Sequence, residues 1–185
     1  MKKIAIASTV VALLAAAAVL EAQDPPAMPA PAKEHKWLQQ FAGEWESEFE
    51  LFFEPGKPPL KCKGTGSARS IGGFWIVAEG KADLLGMPFT SVLTIGYDPQ
   101  KKKYVGTWVD SLSSHLRKYE GTVDAKGKTL TLESEIPIPH APGKLAKFKE
   151  VTEFKSKDHQ VVTSSWQIEE GKWSTLAIVN SRRKK

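Results

Sequence analysis

From Gly43 to the C-terminal lysines, apolar and polar residues alternate in short runs, the period of strands with one face buried. The clearest run is Glu44–Phe53. Trp45, Ser47, Phe49, Leu51 and Phe53 fall on one side of it, and Glu44, Glu46, Glu48 and Glu50 on the other. After a loop rich in Pro and Gly, Lys61–Arg69 alternates again, with Lys61, Lys63, Thr65, Ser67 and Arg69 outward. A Glu-lined strand beside a Lys-lined one reads as a hairpin with a charge-paired outer face. The inner side of the second strand, Cys62, Gly64, Gly66 and Ala68, is small and leaves space for a large neighbour or a ligand. Further strands are expected over 73–82, 89–97, 103–111, 115–123, 129–136, 144–154, 159–168 and 172–182. The connectors Leu85–Pro88, Asp98–Lys101, Asp124–Gly127 and Glu169–Lys172 carry turn residues. Lys33–Ala42 is the one helical stretch, with Trp37, Leu38 and Phe41 on its apolar face and His35 in its exposed first turn. Sequential antiparallel strands with one apolar face must stack or close, and closure removes the edges. The expected fold is therefore all-β: a closed antiparallel up-and-down barrel of about ten strands with a short N-terminal helix.

The N-terminus has a different pattern. Lys2 and Lys3 precede a charge-free apolar run, Ile4–Leu20, and Ala22 stands at a plausible cleavage point before Asp24-Pro-Pro. That is the layout of a secretory signal peptide over residues 1–22, the alternative being an uncleaved single-span anchor. Residues 23–33 read as a Pro-rich spacer and 34–185 as the barrel domain. The expected location is periplasmic or secreted, with no stable membrane insertion once the leader is removed. The single cysteine, Cys62, excludes an intramolecular disulfide and any multi-cysteine metal site, and in an exported protein a lone thiol is expected to point inward. The net charge of +5 is concentrated at Arg182–Lys185 and Lys101–Lys103, a terminus and a turn. No basic face with interleaved aromatics emerges, so nucleic acid is not an expected partner.

Trp37-Leu-Gln-Gln-Phe-Ala-Gly-Glu-Trp45 resembles the opening of the calycin superfamily (lipocalins, fatty-acid-binding proteins, avidins and nitrobindins), in which a short helix precedes Gly-x-Trp. That resemblance implies that Trp45 plugs one barrel end and that Arg182, or its neighbour Arg183, packs over it. Residues 34 to 185 are also similar to the domain of unknown function 1579 family, often exported and bacterial. The phrases that carry this are Glu34–Gln40, Gly43–Trp45, Gly72–Gly80, Gly96–Lys102, Tyr104–Asp110, Tyr119–Gly121 and the ending Arg182–Lys185. No activity comes with that family. Nitrobindins hold haem through a histidine, and His115 and His140 are the residues that could take that role here; the rest of a nitrobindin signature is not evident, and no cofactor is expected. No His pair has the helical spacing of a zinc site, and no metal is expected.

The most chemically mixed segment is Trp108-Val-Asp110 followed by His115-Leu-Arg117-Lys-Tyr119. If Tyr104, Gly106, Trp108 and Asp110 share the inner face, the hairpin brings His115, Arg117 and Tyr119 alongside. The result is a polar end to an otherwise apolar cavity. Two carboxylates raise a question of orientation. The strand 73–79 is apolar on both faces, so either Phe74, Ile76 and Ala78 or Trp75, Val77 and Glu79 point inward. Glu150, between Phe148 and Thr152, is equally open. The expected ligand-binding set is Trp75, Glu79, Trp108, Asp110, His115, Arg117, Tyr119, Glu150 and Trp166, with Trp173 at the rim. The leading functional expectation is an exported barrel that binds a small, largely apolar molecule. The alternatives are an enzyme in which Asp110 orients His115 as a base, and a filled-core protein that acts through envelope contacts made by loops such as residues 136–143.

Overall fold

A computed structural model describes residues 29–54, 56–138, 141 and 143–185, so the leader expected over 1–22 and His140 lie outside the described residues. Pro31–Lys185 form one compact unit. It begins with helix α1 (Lys33–Leu38) and a 3-10 turn, Gln39–Phe41. Ten strands follow: β1 Gly43–Leu51, β2 Leu60–Ile71, β3 Trp75–Leu84, β4 Met87–Asp98, β5 Lys103–Asp110, β6 Ser113–Val123, β7 Thr129–Pro137, β8 Leu145–Ser156, β9 His159–Glu169 and β10 Lys172–Arg183. Each strand pairs antiparallel with the next, and β1 pairs with β10, so the sheet is a closed up-and-down barrel. The Glu/Lys hairpin forms with Glu50 opposite Lys61, and their side chains meet at 2.8 Å. Such an exposed pair contributes little, about 0–1 kcal/mol, but it is consistent with the register.

The odd-numbered tips (β1–β2, β3–β4 and so on) lie at one end and the even-numbered tips, with α1, at the other. At the α1 end the turns are tied by carboxylates. Asp98 Oδ1 accepts from the main-chain N–H of Gln100 at 2.9 Å and of Lys101 at 3.1 Å, and Asp124 Oδ1 accepts from that of Lys128 at 2.8 Å. At the other end the tips expose large apolar residues, Phe53 at 74%, Leu85 at 77%, and also Leu112 and Ile168. The ladder is uneven. β6 and β7 pair only over Glu120–Val123 and Leu130–Glu133, although both strands run on towards the open end.

The α1 end is a plug. A helix of this length cannot stand alone, and it is held by docking. Leu38, Phe41 and Trp45 are buried with Tyr104 and Phe154, and Trp37 packs edge-to-face against Phe41, Tyr104 and Phe154. Its Nε1 donates to the Gly127 carbonyl at 2.8 Å. His35 is not in an exposed turn, as its place at the start of the helix suggested; it is buried, at 5% exposure. Its Nδ1 accepts from the Ala32 N–H at 3.0 Å, which leaves Nε2 to carry the proton donated to the Tyr97 carbonyl at 3.1 Å. Phe74 and Tyr97 meet the ring edge-on.

The Gly-x-Trp motif has a local cause. Trp45 donates Nε1 to the Phe41 carbonyl at 2.8 Å, and the Arg183 guanidinium lies 4.4 Å from its ring centroid. That guanidinium also donates to the carbonyls of Ala42 and Gln40, which are otherwise free at the end of the helical turn. Gly43 has φ +128°, and a Cβ there would collide with Arg183 Nη1, so glycine is required where the arginine passes. The basic partner of Trp45 is thus Arg183. Arg182 is exposed on the outer face, because the β1–β10 register sets Trp45 opposite Arg183 and Glu46 opposite Arg182.

Candidate functional site

Above the plug the barrel is hollow. A cavity of about 520 Å³ runs from Phe41 and Trp45 at the floor to Phe53, Leu84 and Leu112 at the open end. Its wall is largely apolar, with Phe49, Leu51, Leu93, Phe148, Val162 and Val179 among its lining. The small inner residues of β2 create part of this space. At Gly66 a Cβ would find its nearest neighbours at 3.5 Å (the Glu79 carbonyl) and 4.0 Å (Trp45), which is ordinary contact.

One polar cluster interrupts the wall. Arg117 from β6 spans the faces of Phe148, 4.5 Å from the centroid, and Trp108, at 5.8 Å. Its Nη1 donates to the Tyr119 hydroxyl at 3.1 Å, and that hydroxyl donates to Glu150 Oε2 at 3.4 Å. Ser164 Oγ donates to the same oxygen at 3.3 Å. Burial pushes the Glu150 carboxyl above its ordinary range, while the Arg117 charge and the two hydroxyl donors oppose that rise. Burial, reinforced by the Glu150 charge, likewise pushes the Tyr119 phenol up, which keeps it a donor. A second polar row lies nearer the floor. Ser47 and Ser181 share a hydrogen bond at 2.8 Å, and Gln160 stands opposite Ser181 in the ladder. Gln160 is 8% exposed and lines the cavity.

The structure gathers some of the expected residues and disperses others. Trp108, Asp110, Arg117 and Glu150 line the cavity, and Tyr119 sits directly behind Arg117 and Glu150. Asp110 accepts from Trp108 Nε1 at 2.9 Å and from the Leu112 N–H at 2.9 Å, so it fixes the indole and the turn. His115 does not join it. A bulge after Trp108 sets Asp110 opposite Ser113, and His115 Nε2 lies 3.2 Å from the Glu135 carbonyl on β7. Of the two orientations open to 73–79, β3 turns Ile76 and Ala78 inward, so the Trp75 and Glu79 side chains expected in the cavity lie outside it, Trp75 at 42% exposure and Glu79 exposed on the outer face. Glu79 borders the cavity through its main chain. Outward Trp75 has its own reason, since its ring covers Gly96, its partner on β4, at the place a Cβ would occupy. Trp166 is half-buried against the core cluster and is not among the lining residues. Trp173 is on the outer face with Lys149 Nζ 4.1 Å from its ring centroid. Cys62 is on the inner row of β2, half-buried, and burial raises its thiol pKa. Ser47, Thr152, Gln160, Ser164 and Ser181 also line the cavity, though none stood out in the sequence. The alternation of β9 places Gln160, Val162 and Ser164 on one row, whose neighbours are Phe154, Thr152 and Glu150 on β8 and, on β10, Ser181 and Val179 beside Gln160 and Val162.

No described lining residue is a histidine, and the His115 ring is engaged outside the cavity, so the described residues do not fit an imidazole-held haem. No group of three or more metal-ligating side chains occurs among the described residues.

The family model of DUF1579, "Protein of unknown function", matches residues 30–183. The chain belongs to this family. Its DUF1579 domain is thus the whole barrel with its plug. No curated protein matches it. Among solved structures, Rv2717c from M. tuberculosis superposes on this DUF1579 protein with a TM-score of 0.59 at 10% identity, covering 84% of this chain and 100% of that one. A redesigned β-barrel matches with a TM-score of 0.44 at 7% identity, over 80% and 94% of the two chains. The first likeness shows the barrel fold.

Proposed function

We propose that this DUF1579 protein binds a small, largely apolar molecule inside its barrel, anchored by a polar group at Arg117, Tyr119 and Glu150. The observation that carries this reading is the cavity itself, about 520 Å³ with an apolar wall and one convergent polar cluster. Ligand pockets range over about 300–1,000 Å³ and have this composition. A barrel built only for stability would fill the space, since each empty methyl-sized volume costs on the order of 1 kcal/mol. No hydrogen bond joins Asp110 to His115 among the described residues, so the geometry favours binding over acid–base turnover. The leader-like start, Lys2 and Lys3 before Ile4–Leu20, supports an exported location for this binding.

Titration with anilinonaphthalene sulfonate tests the reading. Trp45 and Trp108 both line the cavity, so probe entry is expected to quench tryptophan emission with saturation. Gly66→Leu fills the space beside Trp45 and is expected to weaken probe binding at least about tenfold while the protein stays folded. Absence of saturable binding to folded wild type would overturn the proposal.

A further inference from the structure

Two buried side-chain polar atoms among the described residues have no hydrogen-bond partner, Arg117 Nε and Gln160 Oε1. Both residues line the same cavity. An orphaned buried donor or acceptor is destabilising, and a leucine or methionine in either place would remove the cost. The two orphans also have opposite needs: Arg117 Nε–H lacks an acceptor, and Gln160 Oε1 lacks a donor.

They lie at different depths. Glu150, tied to Arg117 through the Tyr119 hydroxyl, stands opposite Ser164 on β9, and Gln160 is further down the same strand towards the plug. Four residues of strand separate Ser164 from Gln160, about 13 Å of rise. Between the two levels the wall carries Val162 and Val179, with Thr152 beside Val162 on β8. The cavity therefore has an unpartnered polar atom at each of two levels, with a mainly apolar stretch between.

We infer that the occupant of this cavity is two-headed: an elongated apolar body with a hydrogen-bond-accepting group for Arg117 and a hydroxyl, or another donor, at its far end for Gln160. The inference rests on the binding reading above and specifies its ligand class. A hydroxyl suits Gln160 especially well, because it donates and accepts and so fits either orientation of the carboxamide. The molecule enters with its hydroxyl end leading, since Gln160 is beside the floor and the open end lies beyond Arg117.

The test compares laurate with ω-hydroxylaurate on the full protein, by calorimetry or by displacement of the naphthalene probe. ω-Hydroxylaurate is expected to bind about five- to tenfold more tightly than laurate, the worth of one buried hydrogen bond. Gln160→Met is expected to reduce that preference to less than about twofold without weakening laurate. Arg117→Met is expected to weaken both acids alike. Should Gln160→Met fail to fold, wild type decides through chain length: in ω-hydroxy acids from octanoate to myristate, the hydroxyl's advantage over the parent acid must peak at one length. Equal affinities, a preference that persists in Gln160→Met, or an advantage independent of length overturns the two-headed ligand. If the naphthalene probe still binds and Gly66→Leu still blocks it, the apolar-binder reading stands alone. If probe and acids all fail on folded protein, both fall.

Discussion

The two ends of this barrel follow opposite rules. At the plug, His35 uses both ring nitrogens, Trp37 and Trp45 each donate to a carbonyl, and Arg183 gathers the loose carbonyls of the helical turn. Above the plug, small residues leave volume, two buried polar atoms of the cavity lining stand without partners, and apolar side chains project from the far tips. Stability and recognition occupy separate stretches of the same strands. β1 carries Trp45 for the one and Phe49 and Leu51 for the other.

That division can be broken by mutation. Its largest expected effect is at Trp45→Ala, which should cost about 3–5 kcal/mol in denaturant unfolding; a loss under about 1 kcal/mol would mean that the plug does not hold the barrel. Arg183→Met comes next, at about 2 kcal/mol, from the lost carbonyl contacts and cation–π contact. Arg182→Ala should stay within about 0.5 kcal/mol, and equal losses would reverse the assignment of the closing arginine. Two glycines draw the line inside the barrel. At Gly121 a Cβ would run into the Thr131 carbonyl, so Gly121→Ala should cost about 1–3 kcal/mol, whereas Gly66→Ala should be neutral within about 0.5 kcal/mol.

The folded protein holds the Glu150 proton more tightly than the unfolded chain, whose carboxyl titrates near the ordinary value of 4.5. The stability this group contributes is present in full below that value and is lost as pH rises through the higher folded pKa. Glu150→Gln does not titrate, so its thermal midpoint should gain on wild type between about pH 4 and pH 8. A gap that is constant across that range would show Glu150 to be no more protonated in the fold than out of it.

Most of the architecture was legible because alternation with one buried face is local. Each strand declares its two sides, and Asp98, Asp124 and the glycines declare the turns. What failed were properties set by distant partners. Gly73–Glu79 is apolar on both faces, and only Gly96 on the neighbouring strand explains why Trp75 can lie outside. Arg182 and Arg183 are adjacent and alike, and the choice between them depends on a register between the first and last strands, which no turn fixes. Of the residues expected at the site from their chemistry within an alternating strand, Trp108, Asp110, Arg117 and Glu150 line the cavity. Gln160 went unnoticed because a lone glutamine carries no signal until the opposite wall shows that nothing bonds to it.

The short ladder between β6 and β7 has a consequence of its own. A barrel is said to be free of edges, yet past Glu120 and Glu133 the main chains facing across this seam are not paired with each other. Such borders invite a foreign strand. This one is guarded by Lys118 and Glu135, both exposed, and by Pro137, which has no N–H to offer. The molecule is a closed cylinder with one fenced slit.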